Sequence, residues 1–104
     1  MPEAQDFSWA LLKLAEGKQV YRKGWNGKGM FVYLVPGGFV DYSKLTGAAR
    51  EAADVRTVIE GGTMGSGRYI CPHLDMMNAQ GQIVVGWLAS QTDMLATDWE
   101  VANG

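Results

Sequence analysis

The chain has 104 residues, 47% of them apolar, one cysteine and a formal net charge of −2. That length supports a single domain whose small core is only modestly stable alone, so oligomerisation is expected. The slight negative charge excludes a non-specific DNA or RNA binder, which needs a dominant basic face, but leaves room for a small anionic ligand gripped by a few local cations. Cys71 has no second cysteine to bridge to, which fits a reducing compartment. No apolar run approaches membrane-spanning length, and Met1–Asp6 lacks the cationic and apolar regions of a signal peptide, so the expected protein is soluble and intracellular.

Asp6 can cap a helix running from about Phe7 to Glu16. Phe7, Leu11, Leu14 and Ala15 fall on one helical face, and Gly17 is the expected stop. Trp9 and Leu12 lie off that stripe, where they widen the core face or meet a second subunit. Val20-Tyr21-Arg22 reads as a short strand. The turn at Asn26-Gly27 follows, since both residues tolerate positive φ. Met30–Val35 is a strand, Pro36-Gly37-Gly38 turns the chain, and Phe39–Tyr42 can return as a second strand.

The centre is harder to read. Thr46 to Ala53 has helical composition, weakened at its start by Gly47. Gly61-Gly62-Thr63-Met64-Gly65-Ser66-Gly67 reads as a mobile loop, either an ordinary surface excursion or a lid or oligomer contact. The stretch near 43–67 is expected to be an insert within the single domain.

Arg68 to Met76 alternates as a strand, with Ile70, Leu74 and Met76 on one face and Tyr69, Cys71, His73 and Asp75 on the other. Pro72 cannot donate a ladder bond, so this strand is an edge or is interrupted there. Asn78–Gly81 is a hairpin turn, and Gln82 to Leu88 the returning strand. Ser90 is a natural N-cap, and Asp93 completes an acidic variant of the capping box. Met94 and Leu95 are expected to turn inward, and Thr97-Asp98 to end this short helix. Trp87 and Trp99 lie on strands either side. The segment is both a strand–helix–strand corner with a tryptophan clasp and, more sharply, a polar rim of Ser90, Gln91, Thr92 and Asp93. The sum is an α+β fold: a small antiparallel sheet with an N-terminal helix and a short C-terminal helix, in an oligomer.

Chemistry is sparse. Cys71, His73 and Asp75 are the residue types of nucleophile, base and orienting acid. Residues two apart on one strand, however, are separated by roughly 6.6 Å along its axis, too far for the contact of about 3 Å that a nucleophile and its base require. One Cys and one His also fall short of the four ligands of a structural zinc site, so no metal and no cofactor is expected. Gly24-Trp25-Asn26-Gly27-Lys28-Gly29 departs from the P-loop pattern, because Gly29 stands where a hydroxyl is needed. Its backbone N–H groups, with Lys28, Arg22 and Lys23, still make the best local anion site, and Trp25 can stack on a base. The competing reading is a tight turn with a packed tryptophan.

Three segments in order, Gly24–Phe31, Pro72–Met76 and Trp87–Trp99, resemble a phage-borne family long catalogued as a domain of unknown function. Its characterised members are identified here as the first type of Thoeris anti-defence protein. The resemblance covers the N-terminal helix and both flanks and is absent from about Tyr42 to Ser66. It implies a sponge that sequesters the cyclic ADP-ribose isomers made as alarm signals by a bacterial immune sensor, without cleaving them, in the host bacterial cytoplasm. It also implies homodimers, or hexamers built as trimers of dimers, with ligand sites between subunits, and in some members capture of cyclic trinucleotides at separate sites. No membrane and no nucleic-acid polymer is implied as a partner.

Carried onto this sequence, the resemblance makes Trp25, Asn26 and Lys28 ligand contacts. His73 and Asp75 become pocket wall or lie just behind it, and Ser90, Gln91, Thr92 and Asp93 join the site. Trp25 or Tyr69 would hold adenine, the amides and Asp93 would bond the base edge or ribose hydroxyls, and Arg22, Arg68 and Lys28 would meet the pyrophosphate. Two other functions compete: an enzyme acting on nucleotides, and a protein-interaction module of phage or prophage origin.

Overall fold

The computed structural model of the chain describes residues 5–62, 65 and 67–102. Met1–Ala4 of the N-terminal stretch, and Thr63, Met64 and Ser66 of the expected mobile loop, lie outside them. The fold is α+β, as the sequence predicts, and its backbone divides into two compact units. One is the chain up to Val35 together with the chain from His73 onward; the other is Pro36–Pro72.

In the first unit, Asp6 caps helix α1, Phe7–Ala15, by accepting the Trp9 N–H at 2.9 Å. Strands β1 (Val20–Arg22) and β2 (Phe31–Val35) follow. The buried stripe of α1 is Ala10 and Leu14, flanked by half-buried Phe7 and Trp9, and Leu11 stays 46% exposed. The helix is therefore rotated from the expected Phe7–Leu11–Leu14–Ala15 face. Ala10, with only a methyl group, lets the helix approach the sheet closely, and Trp9 supplies the bulk at its flank.

After β2 comes β3, Gly38–Val40, and it does not fold back on β2. It pairs antiparallel with β4, Arg68–Ile70, with Phe39 opposite Tyr69. Tyr42 belongs instead to a 3-10 turn, Tyr42–Lys44. Gly37 sits at φ +74°, and a Cβ there would stand 2.1 Å from the Ile70 carbonyl oxygen, so only glycine fits this close approach to β4. Helix α2, Gly47–Ile59, runs six residues past the expected Ala53. In this second unit Leu45, Ala53 and Thr57 are buried. Arg68 clamps the pair of elements by donating from Nη2 to Thr57 Oγ1 at 2.7 Å and to Glu60 Oε1 at 3.1 Å.

The expected long strand from Arg68 to Met76 is interrupted at Cys71-Pro72, and β5, His73–Met77, begins a new ladder in the first unit. β5 pairs with β2 along its whole length, from Phe31 opposite Met77 to Val35 opposite His73. The returning strand β6 is only Ile83–Val84, shorter than the expected Gln82–Leu88. Gly86 at φ +78° ends it, and its N–H turns to the Asp75 carboxylate at 2.9 Å. Trp87 nevertheless donates to the Leu74 carbonyl at 2.7 Å, which keeps it against the sheet. Helix α3, Gln91–Met94, precedes β7, Trp99–Val101. The five strands lie in the order β6-β5-β2-β1-β7, every neighbouring pair antiparallel.

The core of this unit joins Ala10, Leu14, Val20, Val32, Met76 and Trp99, with Trp25, Leu74 and Trp87 packed against it. Trp99 is 1% exposed. Met94 and Leu95 point outward rather than inward, because the single turn of α3 is held by its polar bonds and not by an apolar face.

Candidate functional site

The turn between β1 and β2 opens a cleft of about 400 Å³, lined by Arg22, Lys23, Trp25, Lys28, Met30 and Phe31 among others. Trp25, the aromatic residue expected to stack on a base, is half-buried there. Its indole meets Trp99 edge-on at 5.4 Å between ring centres and Trp87 at 6.2 Å. Offset and edge-on aromatic pairs of this kind add about 0.5–1.5 kcal/mol beyond area burial and fix ring orientation.

The cations of the cleft differ in how far they are committed. Arg22 donates from Nε to Asp98 Oδ1 and from Nη1 to Asp93 Oδ1, both at 2.8 Å, and its side chain is 15% exposed. These bonds, to Asp98 first and to Asp93, hold the guanidinium above its usual range. Lys23 pairs with Glu100 at 3.2 Å. Among the described residues, Lys28 is the cleft cation with no ion pair.

The Asp93 carboxylate receives three donors. The capping box forms as predicted: Asp93 N–H donates to Ser90 Oγ at 3.1 Å, and Ser90 N–H to Asp93 Oδ2 at 3.4 Å. The other oxygen, Oδ1, accepts from Arg22 and from Trp25 Nε1 at 3.1 Å. The Trp99 indole donates to the Asp93 carbonyl at 3.1 Å. Burial would raise the Asp93 carboxyl, but the bonds from Arg22, Trp25 and Ser90 outweigh it and hold it below its ordinary value. Asp98 is held low by Arg22, against a smaller effect of burial and with the help of the Gly24 N–H at 2.8 Å.

The sign of the pH dependence follows. Both carboxyls are depressed below the unfolded value of about 3.9, so their contribution is complete above that pH and is lost as the pH falls through their lower folded values. The melting temperature should therefore hold near neutrality and fall once the pH drops below about 4. Asp98→Asn should soften that acid limb; a variant profile that parallels the parent's would contradict the assignment.

Of the residues predicted for the site, Arg22, Trp25 and Lys28 come together in the cleft. Asn26 is exposed in the same turn and does not line it. Ser90, Gln91, Thr92 and Asp93 form α3 and its cap, outside the cleft wall. His73 Nε2 and Asp75 Oδ1 lie 3.6 Å apart on β5, where Asp75 is buried and bonded to Gly86. Arg68 and Tyr69 belong to the Pro36–Pro72 unit, where they line a separate hollow of about 580 Å³ beside α2, with Arg56 and Glu60. Sequence reasoning missed Tyr21, Met30 and Phe31 as wall and Asp98 as the partner of Arg22. The available signal for Tyr21 was its strand alternation, which sets it opposite to buried Val20. Asp98 lies 76 residues from Arg22, and nothing local announces the pair.

Residues 5–102 match the model of the Thoeris anti-defense 2-like domain. The chain belongs to this Thoeris anti-defence 2-like family. A curated relative, Thoeris anti-defense 2 of Bacillus phage SP01, is 31% identical over 107 residues, covering 99% of this chain and all of the relative. Membership supports a phage anti-defence role. The Thoeris resemblance read from the sequence stands, but the matching model carries the number 2 where that reading named the first type. The match also runs through the centre, where the sequence offered no resemblance.

Proposed function

We propose that this Thoeris anti-defence 2-like protein is a sponge, which binds a cyclic ADP-ribose-type immune signal and withholds it without cleaving it. The observation that carries this reading is the cleft itself. The Gly24–Gly29 turn sets a half-buried tryptophan beside an uncommitted lysine, a combination suited to a nucleotide's aromatic base and its phosphate. Storage rather than turnover fits an aromatic-and-cation site whose neighbouring carboxylates are tied up in internal bonds. Cyclic trinucleotides are a further candidate cargo. The place of action is the host bacterial cytoplasm; among the described residues no helix is long and apolar enough to cross a membrane. A homodimer, or a hexamer made of dimers, is the proposed assembly. The exposed apolar face of Val55, Val58 and Ile59 on α2 favours such an assembly.

Capture and release tests the reading. The protein is incubated with cyclic ADP-ribose isomers and cyclic oligonucleotides, filtered free of unbound ligand and heat-denatured, and the released species is identified by mass spectrometry. Intact ligand recovered in proportion to protein is the expected result. A chemically altered product would make the protein an enzyme. Retention of nothing, together with a single host protein recovered in a pulldown, would favour the interaction-module reading.

A further inference from the structure

Asp93 stands just behind the cleft and touches two of its walls at once. One oxygen, Oδ1, accepts both the Arg22 guanidinium at 2.8 Å and the Trp25 indole N–H at 3.1 Å. The carboxylate is itself held by the Ser90 capping box, and its backbone carbonyl by the Trp99 indole. Its side chain is 13% exposed and does not line the cleft. A carboxylate so placed has little left to offer a ligand. What it fixes is the plane of the Trp25 ring and the position of the Arg22 fork.

We infer that Asp93 is a positioning residue of the ligand site. It acts through Trp25 and Arg22 rather than by touching the ligand, as the sequence alone suggested it would. The inference rests on the ligand reading above and adds a division of labour to it: Trp25 and Lys28 face the ligand, and α3 anchors Trp25, together with Arg22, through a single carboxylate. An aromatic platform binds well only when its ring is held in place before the ligand arrives, since ordering a loose side chain on binding costs affinity. The indole N–H to Asp93 is a latch of that kind. It ties a turn near the N-terminus to a one-turn helix 68 residues later.

The inference predicts a particular non-additivity. Asp93→Asn keeps the side chain's shape and one acceptor oxygen but loses the charge that draws Arg22 and the second acceptor of the capping box. Trp25→Phe keeps a ring in the cleft but removes the donor. The probe is whichever cyclic ADP-ribose isomer the parent protein retains on filtration, titrated calorimetrically into the parent, each single variant and the double variant. Asp93→Asn should weaken binding about tenfold, the scale of one lost hydrogen bond to a charged group. The double variant should lose less affinity than the product of the two single losses, because both changes act in part through the Trp25 ring and so do not add in full. The Trp25 indole N–H resonance of the ligand-free protein should move in Asp93→Asn.

Parental affinity in Asp93→Asn, or losses that multiply in the double variant, would overturn the positioning role while leaving the sponge reading intact. If Asp93→Asn fails to fold, Trp25→Phe decides alone: undiminished affinity without the indole donor overturns the inference, and a clear loss supports it. If the parent retains none of the isomers, the sponge reading fails, and the positioning role falls with it.

Discussion

Replacing Trp99 with alanine should lower the stability of the fold by about 3–5 kcal/mol, the range for emptying a buried aromatic site. Trp99 is 1% exposed and opens β7 at the edge of the five-stranded sheet. Its ring lies 5.5 Å from Phe7 of α1, 5.4 Å from Trp25 and 6.4 Å from Trp87. It is therefore where the N-terminal helix, the cleft turn and the C-terminal segment meet. The backbone contributes as well: Trp99 N–H donates to the Gln5 carbonyl at 3.1 Å, and the Gln5 side-chain amide returns a bond to the Trp99 carbonyl. A small domain holds only about 5–15 kcal/mol in total, so this single loss is a large share of it. The melting temperature should fall by more than about ten degrees. Trp99→Phe separates the terms: it keeps a ring but drops the indole bond to the Asp93 carbonyl, and should cost roughly 1–2 kcal/mol. Urea denaturation followed by far-UV circular dichroism reads both variants. A loss below about 1 kcal/mol for the alanine variant would mean that the surrounding side chains collapse into the space, and that Trp99 is not the keystone its burial indicates.

The features legible in the sequence were those whose cause is local. Asp6 as a cap and the Ser90–Asp93 box need only a side chain and an N–H three residues apart, and both form. Pro72 cannot donate, and the ladder breaks there. Features set by distant partners were not legible. Whether Gly38–Val40 pairs with β2 or with β4 depends on Gly37 approaching the Ile70 carbonyl, about which the flanking residues say nothing. The rotation of α1 toward Ala10 is decided by the sheet it meets, not by the count of large apolar residues along it. The cleft was half legible. Arg22, Trp25 and Lys28 lie within one short segment and were found together. The commitment of Arg22 to Asp93 and Asp98 joins positions more than 70 residues apart, and only the folded chain brings them within bonding distance.

That commitment sharpens the expectation for Trp25, whose replacement by alanine should cost the most affinity of any single change in the cleft. With Arg22 tied to two carboxylates and Lys23 to Glu100, Lys28 is the cation left, among the described residues of the cleft, to act freely, and the aromatic surface carries more of the binding. Stacking a base on an aromatic side chain is worth about 1–3 kcal/mol by alanine substitution. That corresponds to a loss of between roughly fivefold and 150-fold in affinity. The same change removes the indole bond to Asp93 and the edge-on contacts with Trp87 and Trp99, so some stability is lost too. The loss should be smaller than for Trp99→Ala, because Trp25 is only half-buried and the core beneath it stays filled. Titration at a temperature well below the variant's own melting point separates the two effects. A folded Trp25→Ala protein that binds the retained isomer as tightly as the parent would remove Trp25 from the site and leave the cleft without its base platform. A folded protein with weakened binding, whose residual affinity falls further with added salt, would show Lys28 acting as a lone charge, as expected for an exposed cation meeting a phosphate.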